Sequence, residues 1–509
     1  MDPKFLEAVR AGFPTENAIV LGAPMRDGEI EPEPLVRVPL GMLNRHGLIA
    51  GATGTGKTRT LQLVAEQLSA AGVSVFVADI KGDLSGLAVP GTAHPKIDER
   101  AAATGQAWQP TGFPLEFLSL TGKLGAQLRA TVSSFGPLML AKVLGLNDTQ
   151  TSVLTMVFRY CDDKQFLLLD MSDLRTVLQY LRDEGAAELE SYGGMSKQTV
   201  GVLLREMIEL EAQGAEQFFG EPEFHLDDLM QVDRDGRGVI SVLALSDCQD
   251  KPALFSTFMM WMLARLYLDL PEVGDPVKPK LVFFLDEAHL LFDGASTAFT
   301  KEVEQVVRLI RSKGVGIIFV TQSPKDIPAD VLGQLGNRIQ HALRAFTPDD
   351  EKAMRAAART FPKTPWYDIE ELLTTVGTGE AIVTVLTSKG EPTMPVATHL
   401  IAPSASMTPL TDDELQRRIG VSPQVKRYRD TLDRQSAREV IEARLHSAAA
   451  AAPIGVEDTP ATRSRRHGSQ SESRSALEKL LKTRTASNMG TQFVRSAMGA
   501  LLQLMKQKR

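Results

Sequence analysis

The eight residues Gly51-Ala52-Thr53-Gly54-Thr55-Gly56-Lys57-Thr58 fit the pattern G-x-x-x-x-G-K-[ST] and stand between an apolar run, "GLIAG" (47–51), and the helix-forming stretch "TRTLQLVAEQL". A strand, a glycine-rich turn and a helix in that order constrain the fold more than any other feature of the chain. Glycines let successive N–H groups turn toward phosphate oxygens, and the start of the following helix adds positive potential. In such a loop Lys57 reaches the β- and γ-phosphates and the Thr58 hydroxyl ligates Mg²⁺. Gly51, Ala52, Thr53, Gly54, Thr55, Gly56, Lys57, Thr58 and Arg59 form the expected nucleotide-binding set, with ATP and Mg²⁺ as the expected cofactors.

Further strand-like runs recur before turn signals: "VSVFVAD" (73–79), "LEFLSL" (115–120), "GVISVLALS" (238–246), "KLVFFLDE" (280–287), "GVGIIFVTQ" (314–322), "IQHALRAF" (339–346) and "EAIVTVLT" (380–387). Several are apolar almost throughout, as strands covered on both faces by helices must be. The pattern predicts an α/β fold with a largely parallel, doubly wound sheet.

The predicted organisation is a lead segment over 1–46, the first part of the core over 47–120, an all-helical insertion over 121–235 and the second part of the core over 236–402. An extension and linker follow over 403–475, then a basic amphipathic helix over 476–509. Within the insertion, Val200, Leu203, Leu204, Met207 and Leu210 recur at helical spacing, and Ser172 stands as a helix start ahead of a Leu/Val stripe. The stretch 446–475 has almost no large apolar residues and reads as a linker. In the tail, Met489, Phe493, Val494, Ala497, Met498, Leu501, Leu502 and Met505 mark one helix face, opposite Arg495, Lys506 and Lys508.

Composition matters mainly for what it excludes. No charged-then-apolar leader opens the chain, so a cytoplasmic location is expected. The most apolar run, 254–270, is shorter than a bilayer span and contains Arg265, so it reads as a buried helix. Cys161 and Cys248 are too far apart to suggest a metal cluster, and the histidines show no ligand spacing. The net charge of −7 conceals an uneven split, since residues 461–509 hold eleven Lys/Arg against two Glu and the remainder is acidic.

Two more stretches carry chemistry. "KLVFFLDEAH" (280–289) ends an apolar strand in two acids: Asp286 suits the Mg²⁺ shell, and Glu287 suits the orientation and deprotonation of a water. "GVGIIFVTQSP" (314–324) ends in Thr321 and Gln322, and Gln322 is placed to sense the γ-phosphate. Phosphoryl transfer also calls for a charge-neutralising arginine, often from a neighbouring subunit. Arg338 is the first candidate, then Arg308 and Arg311, although each equally fits an ordinary surface charge. Asp79 and Lys81 lie beside the loop, and no catalytic role is assigned to Lys81.

Together "GLIAGATGTGKTRTLQLVAEQL", "VADIKGDLSGLA", "KPKLVFFLDEAHLLF", "IRSKGVGIIFVTQSPKDIPADVLGQLGNRIQHALRAFTP" and "MGTQFVRSAMGALL" resemble the HerA-like ATPases of the HerA/FtsK superfamily, in particular the bacterial YjgR branch. The resemblance covers most of residues 15–402 and the C-terminal helix. It implies a RecA-like P-loop core, assembly into hexameric rings and an active site between subunits. HerA itself is a DNA translocase that works with a nuclease. On that pattern Lys57, Thr58, Asp286, Glu287 and Gln322 carry over, with Arg338 as the trans-acting finger. Residues 1–46 are too few for HerA's N-terminal β-barrel, so that barrel's partner-docking role does not carry over. "DEAH" at 286–289 does not make the chain a DEAH-box helicase, which needs two RecA-like cores and a terminal Q-x-x-G-R-x-G-R.

The functional expectation is therefore an oligomeric Mg-dependent ATPase driving DNA through a ring. The alternative is an ATP-switched assembly protein acting on protein partners, with no integral membrane segment in either case.

Overall fold

A computed structural model describes residues 1–451 except 14, 294–296 and 433. The chain divides into two units, Met1–Ala449 and Ala450–Arg509. The predicted tail helix over 489–505 lies outside the described residues.

Among the described residues there are thirteen strands, β1 (Ala18–Arg26), β2 (Glu29–Ile30), β3 (Val36–Pro39), β4 (Gly47–Ala50), β5 (Ser74–Asp79), β6 (Leu115–Ser119), β7 (Ala126–Gln127), β8 (Ile240–Ala244), β9 (Leu281–Leu285), β10 (Val315–Thr321), β11 (Asn337–Gln340), β12 (Glu380–Thr384) and β13 (Val396–Leu400). They form one sheet in the order β2-β1-β13-β12-β11-β4-β10-β9-β5-β8-β6-β7, with β3 also on β1. From β11 to β7 every pairing is parallel. From β11 outward through β12, β13 and β1 every pairing is antiparallel. The central strands β5, β9 and β10 are buried at every position, which is why they read as unbroken apolar runs.

Seven of the eight strand-like runs contain their strands, whereas the run 339–346 meets β11 only at Ile339 and Gln340 and continues as irregular chain past His341. On the antiparallel margin β12 was among the runs, and β1, β2, β3 and β13 were not. The stretch expected as a lead segment contributes a helix, Pro3–Gly12, and strands β1 to β3. β1 is interrupted by Gly22 and Pro24, which weaken the strand signal. Gly22 is nevertheless required: a Cβ there would lie 2.0 Å from the His399 carbonyl oxygen on β13.

Residues 121–235 are mainly helical, with helices Asp148–Lys164, Met171–Arg182 and Lys197–Ala212. Val200, Leu203, Met207 and Leu210 are buried, as their spacing predicts. The segment also contributes β7 at the sheet's far edge. The helix read as starting at Ser172 is capped instead by Asp170, in a reciprocal capping box with Asp173, because a carboxylate two residues earlier reaches the open N–H groups. The apolar run near 254–270 is the buried helix Pro252–Asp269. Cys161 and Cys248 are free and buried. Among the described residues no helix is long and apolar enough to cross a membrane.

Beyond β13 the described residues form the helices Asp412–Val421, Pro423–Tyr428 and Ala437–Ala451. Glu66, on the helix Lys57–Ala70, accepts from Ser404 N (2.7 Å) and Ala405 N (3.1 Å). Farther along, Arg427 and the Tyr428 hydroxyl both donate to Asp228, and Arg434 pairs with Glu221. This segment runs from the phosphate-loop helix to the helical insertion, held by polar contacts between residues about 200 or more positions apart. Such contacts leave no periodic trace in sequence.

Candidate active site

The site forms where β4, β5, β9 and β10 end, the usual ligand edge of an open parallel sheet. Residues 51–56 turn out of β4 and the helix Lys57–Ala70 follows. The backbone at Gly54 (φ +80°) and Gly56 (φ +116°) lies in the region that favours glycine. Lys57 is buried, and its Nζ donates to the carbonyls of Gly51 (2.7 Å) and Ala52 (3.2 Å). Burial draws this ammonium below its ordinary pKa, opposed by the charge of Glu287. Thr58 is half-buried on the first helical turn, whose N–H groups have no intrahelical acceptors. Arg59 is also half-buried and donates to Gln62 Oε1 at 2.8 Å.

Asp286 and Glu287 follow β9 directly, and both are buried. Burial, then the neighbouring Glu287 charge, pushes Asp286 up to about 6. Its Oδ2 has no hydrogen-bond partner. A buried carboxylate oxygen left open beside a phosphate-type loop fits a hard divalent cation, which prefers oxygen ligands. Glu287 has φ +45°, a conformation that costs a non-glycine residue energy and tends to mark functional sites.

The carboxylate of Glu287 is held on several sides. Lys81 forms an ion pair with its Oε1, and His289 Nδ1 is 3.4 Å from Oε2. Burial would raise Glu287, but the hydrogen bond and charge of Lys81, helped by Gln322 and His289, carry it below its ordinary value. Gln322, just past β10, also places its Oε1 3.5 Å from Thr53 Oγ1. Gln322 thus stands between the phosphate loop and Glu287. The Thr321 hydroxyl is committed elsewhere, donating to Asp326 at 2.8 Å, which ties down the turn that carries Gln322. A cleft of about 750 Å³ opens here, lined in part by Ala52, Thr53, Gln322, Asp326 and Arg344.

Two participants were missed in the sequence. Lys81 meets Glu287 because β5 lies beside β9 with Ala78 opposite Leu285, so both chains leave the sheet together. Its only local signal is its place just after a strand. His341, following β11, forms the floor of the loop. A Cβ on Gly51 would lie 2.5 Å from His341 Cβ, and the His341 ring Nε2 is 2.9 Å from Thr60 Oγ1. Burial, with a smaller contribution from the Lys57 charge, pulls His341 down to about 4.

Because the folded-state pKa of His341 lies below its unfolded value, the unfolded chain binds the extra proton between about pH 6.5 and 4. The stability this residue contributes is complete above that window and lost as pH falls through it. Unfolding free energies of the unaltered chain and of His341→Gln, measured across this range, should therefore converge on acidification. A constant gap would disprove a neutral buried imidazole.

The arginines do not join the cluster within one chain. Arg338, on β11, donates to Thr360 Oγ1 at 2.6 Å and to Leu335 O at 3.3 Å. Arg311 precedes β10, at the opposite end of that strand from Gln322, and pairs with Asp275 at 3.0 Å. Arg308 is exposed on the preceding helix. Among the described residues no His/Cys/Asp/Glu group has metal-cluster geometry.

The family model described as Helicase HerA-like C-terminal matches residues 25–507. The chain is 22% identical over 353 residues to the DNA double-strand break repair helicase HerA of Sulfolobus acidocaldarius, covering 68% of this chain and 64% of that protein. It is 24% identical over 367 residues to the protein of the same description from Sulfurisphaera tokodaii, with the same shares, 68% and 64%. It therefore spans just under two thirds of the length of these relatives. Among solved structures it is similar to the plasmid coupling protein TrwB bound to the non-hydrolysable ATP analogue ADPNP, with TM-score 0.51, 13% identity, and coverage of 80% of this chain and 94% of that one. At that identity the likeness shows a shared RecA-like fold alone. With the family model spanning almost the whole sequence, and with a phosphate loop, paired acids and a strand-end glutamine gathered at one sheet edge, the chain belongs to the HerA-like family of P-loop ATPases.

Proposed function

We propose that the protein is a Mg-dependent ATPase that works in the cytoplasm as a ring-shaped oligomer, a hexamer, and couples hydrolysis to movement on DNA. The observation that carries the ATPase part is Glu287, held between Lys81 and Gln322 at the sheet edge that also bears the phosphate loop. When bound, Mg-ATP supplies the γ-phosphoryl group that water attacks. Lys57 neutralises the phosphate oxygens, and Thr58 and Asp286 hold the metal. Glu287 orients the water and accepts its proton, Lys81 keeps the Glu287 carboxylate in place, and Gln322 links the loop to Glu287. Arg338 or Arg311 completes the site from a neighbouring copy, which accounts for neither approaching its own loop. The DNA part is supported by the relatives described as DNA double-strand break repair helicases.

Steady-state ATP hydrolysis, with and without duplex and single-stranded DNA at two salt concentrations, tests this reading. Stimulation by DNA that shrinks at the higher salt is expected, because phosphate contacts release counterions. Turnover indifferent to DNA would overturn the DNA part and leave an ATP-switched assembly protein acting on protein partners.

A further inference from the structure

The chain just after β13 closes on two of the elements that build the active site. On one side lies the helix Lys57–Ala70, where Gln62 and Glu66, one turn apart and both buried, face residues 404–406. Glu66 accepts from Ser404 N and Ala405 N. The Gln62 amide donates to Ser406 O at 3.3 Å, while its carbonyl accepts from Arg59 at 2.8 Å.

On the other side lies the loop that leaves β5. Residues 80–84 carry Lys81, and the 3₁₀ turn Ser85–Ala88 follows with every residue buried. Ser406 N donates to Val89 O at 2.9 Å, and Ala405 pairs with Pro90 in an isolated antiparallel bridge. The Ser85 hydroxyl accepts from Leu410 N at 3.0 Å. Gly86 has no room for a side chain, since a Cβ there would lie 2.4 Å from both Ser406 O and Thr408 O.

Lys81 depends on how this loop is held. Its side chain is nearly half exposed, whereas the Glu287 carboxylate it grips is buried. Holding a long, exposed side chain in one geometry costs entropy, so the pair relies on where the main chain puts the lysine. The near end of the loop is set by Asp79, whose carboxylate accepts from Gly82 N (2.8 Å) and Leu84 N (3.0 Å), and by Gln249, which donates to Ile80 O at 2.8 Å. The far end is set by residues 404–410. Displacing a group that orients reactants by about 1 Å can cost about 10²-fold in rate.

We infer that residues 404–410 are a positioning segment for hydrolysis: by clasping the turn Ser85–Ala88 they keep Lys81 on Glu287, and so keep the carboxylate that orients the attacking water in its working place. The inference rests on the ATPase reading above and extends it to main-chain contacts behind the site.

Gly86→Ala drives a methyl group into the Ser406 and Thr408 carbonyls and parts the segment from the turn. Ser85→Ala removes only the anchor of Leu410 and is the milder change. The test measures equilibrium ATP binding and single-turnover hydrolysis by the full chain, unaltered, with each substitution, with Lys81→Met, and with each combined with Lys81→Met. Thermal unfolding checks that every variant is folded.

Gly86→Ala should slow hydrolysis by up to about 100-fold, Ser85→Ala by less, and both should bind ATP as the unaltered chain does. With Lys81→Met already present, neither should slow hydrolysis further, because residues that act through one contact are not additive. A folded Gly86→Ala that hydrolyses at the unaltered rate overturns the inference, as does normal hydrolysis by Lys81→Met or a rate loss that multiplies in the double variant. Weakened ATP binding in step with the rate would make the segment a brace for the phosphate-loop helix and overturn it too. Should Gly86→Ala not fold, Ser85→Ala decides by the same criteria. An unaltered chain that hydrolyses no ATP would remove the ATPase reading itself, whereas an active chain indifferent to these substitutions removes the positioning segment alone.

Discussion

Lys57→Ala should lower ATP turnover by about 10²–10³-fold, the usual cost of removing one preorganised charge-stabilising donor. Lys57 Nζ already sits within the loop, bonded to Gly51 and Ala52 carbonyls 2.7 and 3.2 Å away, so its charge is in position before nucleotide arrives. Arg59 is engaged with Gln62 and Lys81 with Glu287, and neither can take over without giving up its present partner. Nucleotide affinity should fall with turnover, because the ammonium contacts phosphates in the ground state as well as in the transition state. The variant should stay folded, since the lost hydrogen bonds are few and worth about 1 kcal/mol each. Steady-state hydrolysis with a thermal-unfolding control checks this, and turnover close to that of the unaltered chain would remove Lys57 from the site.

Glu287→Gln separates binding from chemistry. The amide keeps the size of the side chain but can accept no proton from water, so kcat should fall by about 10²–10⁴-fold, the typical contribution of a general base. ATP should remain bound, because the phosphate loop is untouched. Removing the carboxylate also frees Lys81 and Gln322, whose present geometry depends on Glu287. Retained ATP on a filter together with lost product in a single-turnover assay is the expected pair of results. Normal hydrolysis would transfer the base role to another group, and lost ATP binding would make Glu287 structural.

The phosphate loop, Asp286, Glu287 and Gln322 were legible because each follows an apolar run and the chemistry sits in consecutive residues. The parallel centre of the sheet was legible for the same reason, since strands buried on both faces must be apolar throughout. The antiparallel margin beyond β12 was not, because β1 contains Gly22 and Pro24 and closes against β13 across more than 370 residues of chain. The segment after β13 was hidden differently: Glu66, Asp228 and Glu221 hold it at isolated points, and single polar contacts have no period.

By itself, then, the sequence determined that a glycine-rich loop would leave the end of β4 and that two acids would stand at the end of β9, because backbone freedom at glycine and burial of apolar runs act locally. Only the tertiary structure decided that β5 lies beside β9, and so that Lys81 grips Glu287. It alone set His341 beneath Gly51, and it left Arg338 and Arg311 turned to Thr360 and Asp275. Strand order is chosen by the packing of the whole sheet, and no residue near Lys81 or His341 encodes which strand will be its neighbour.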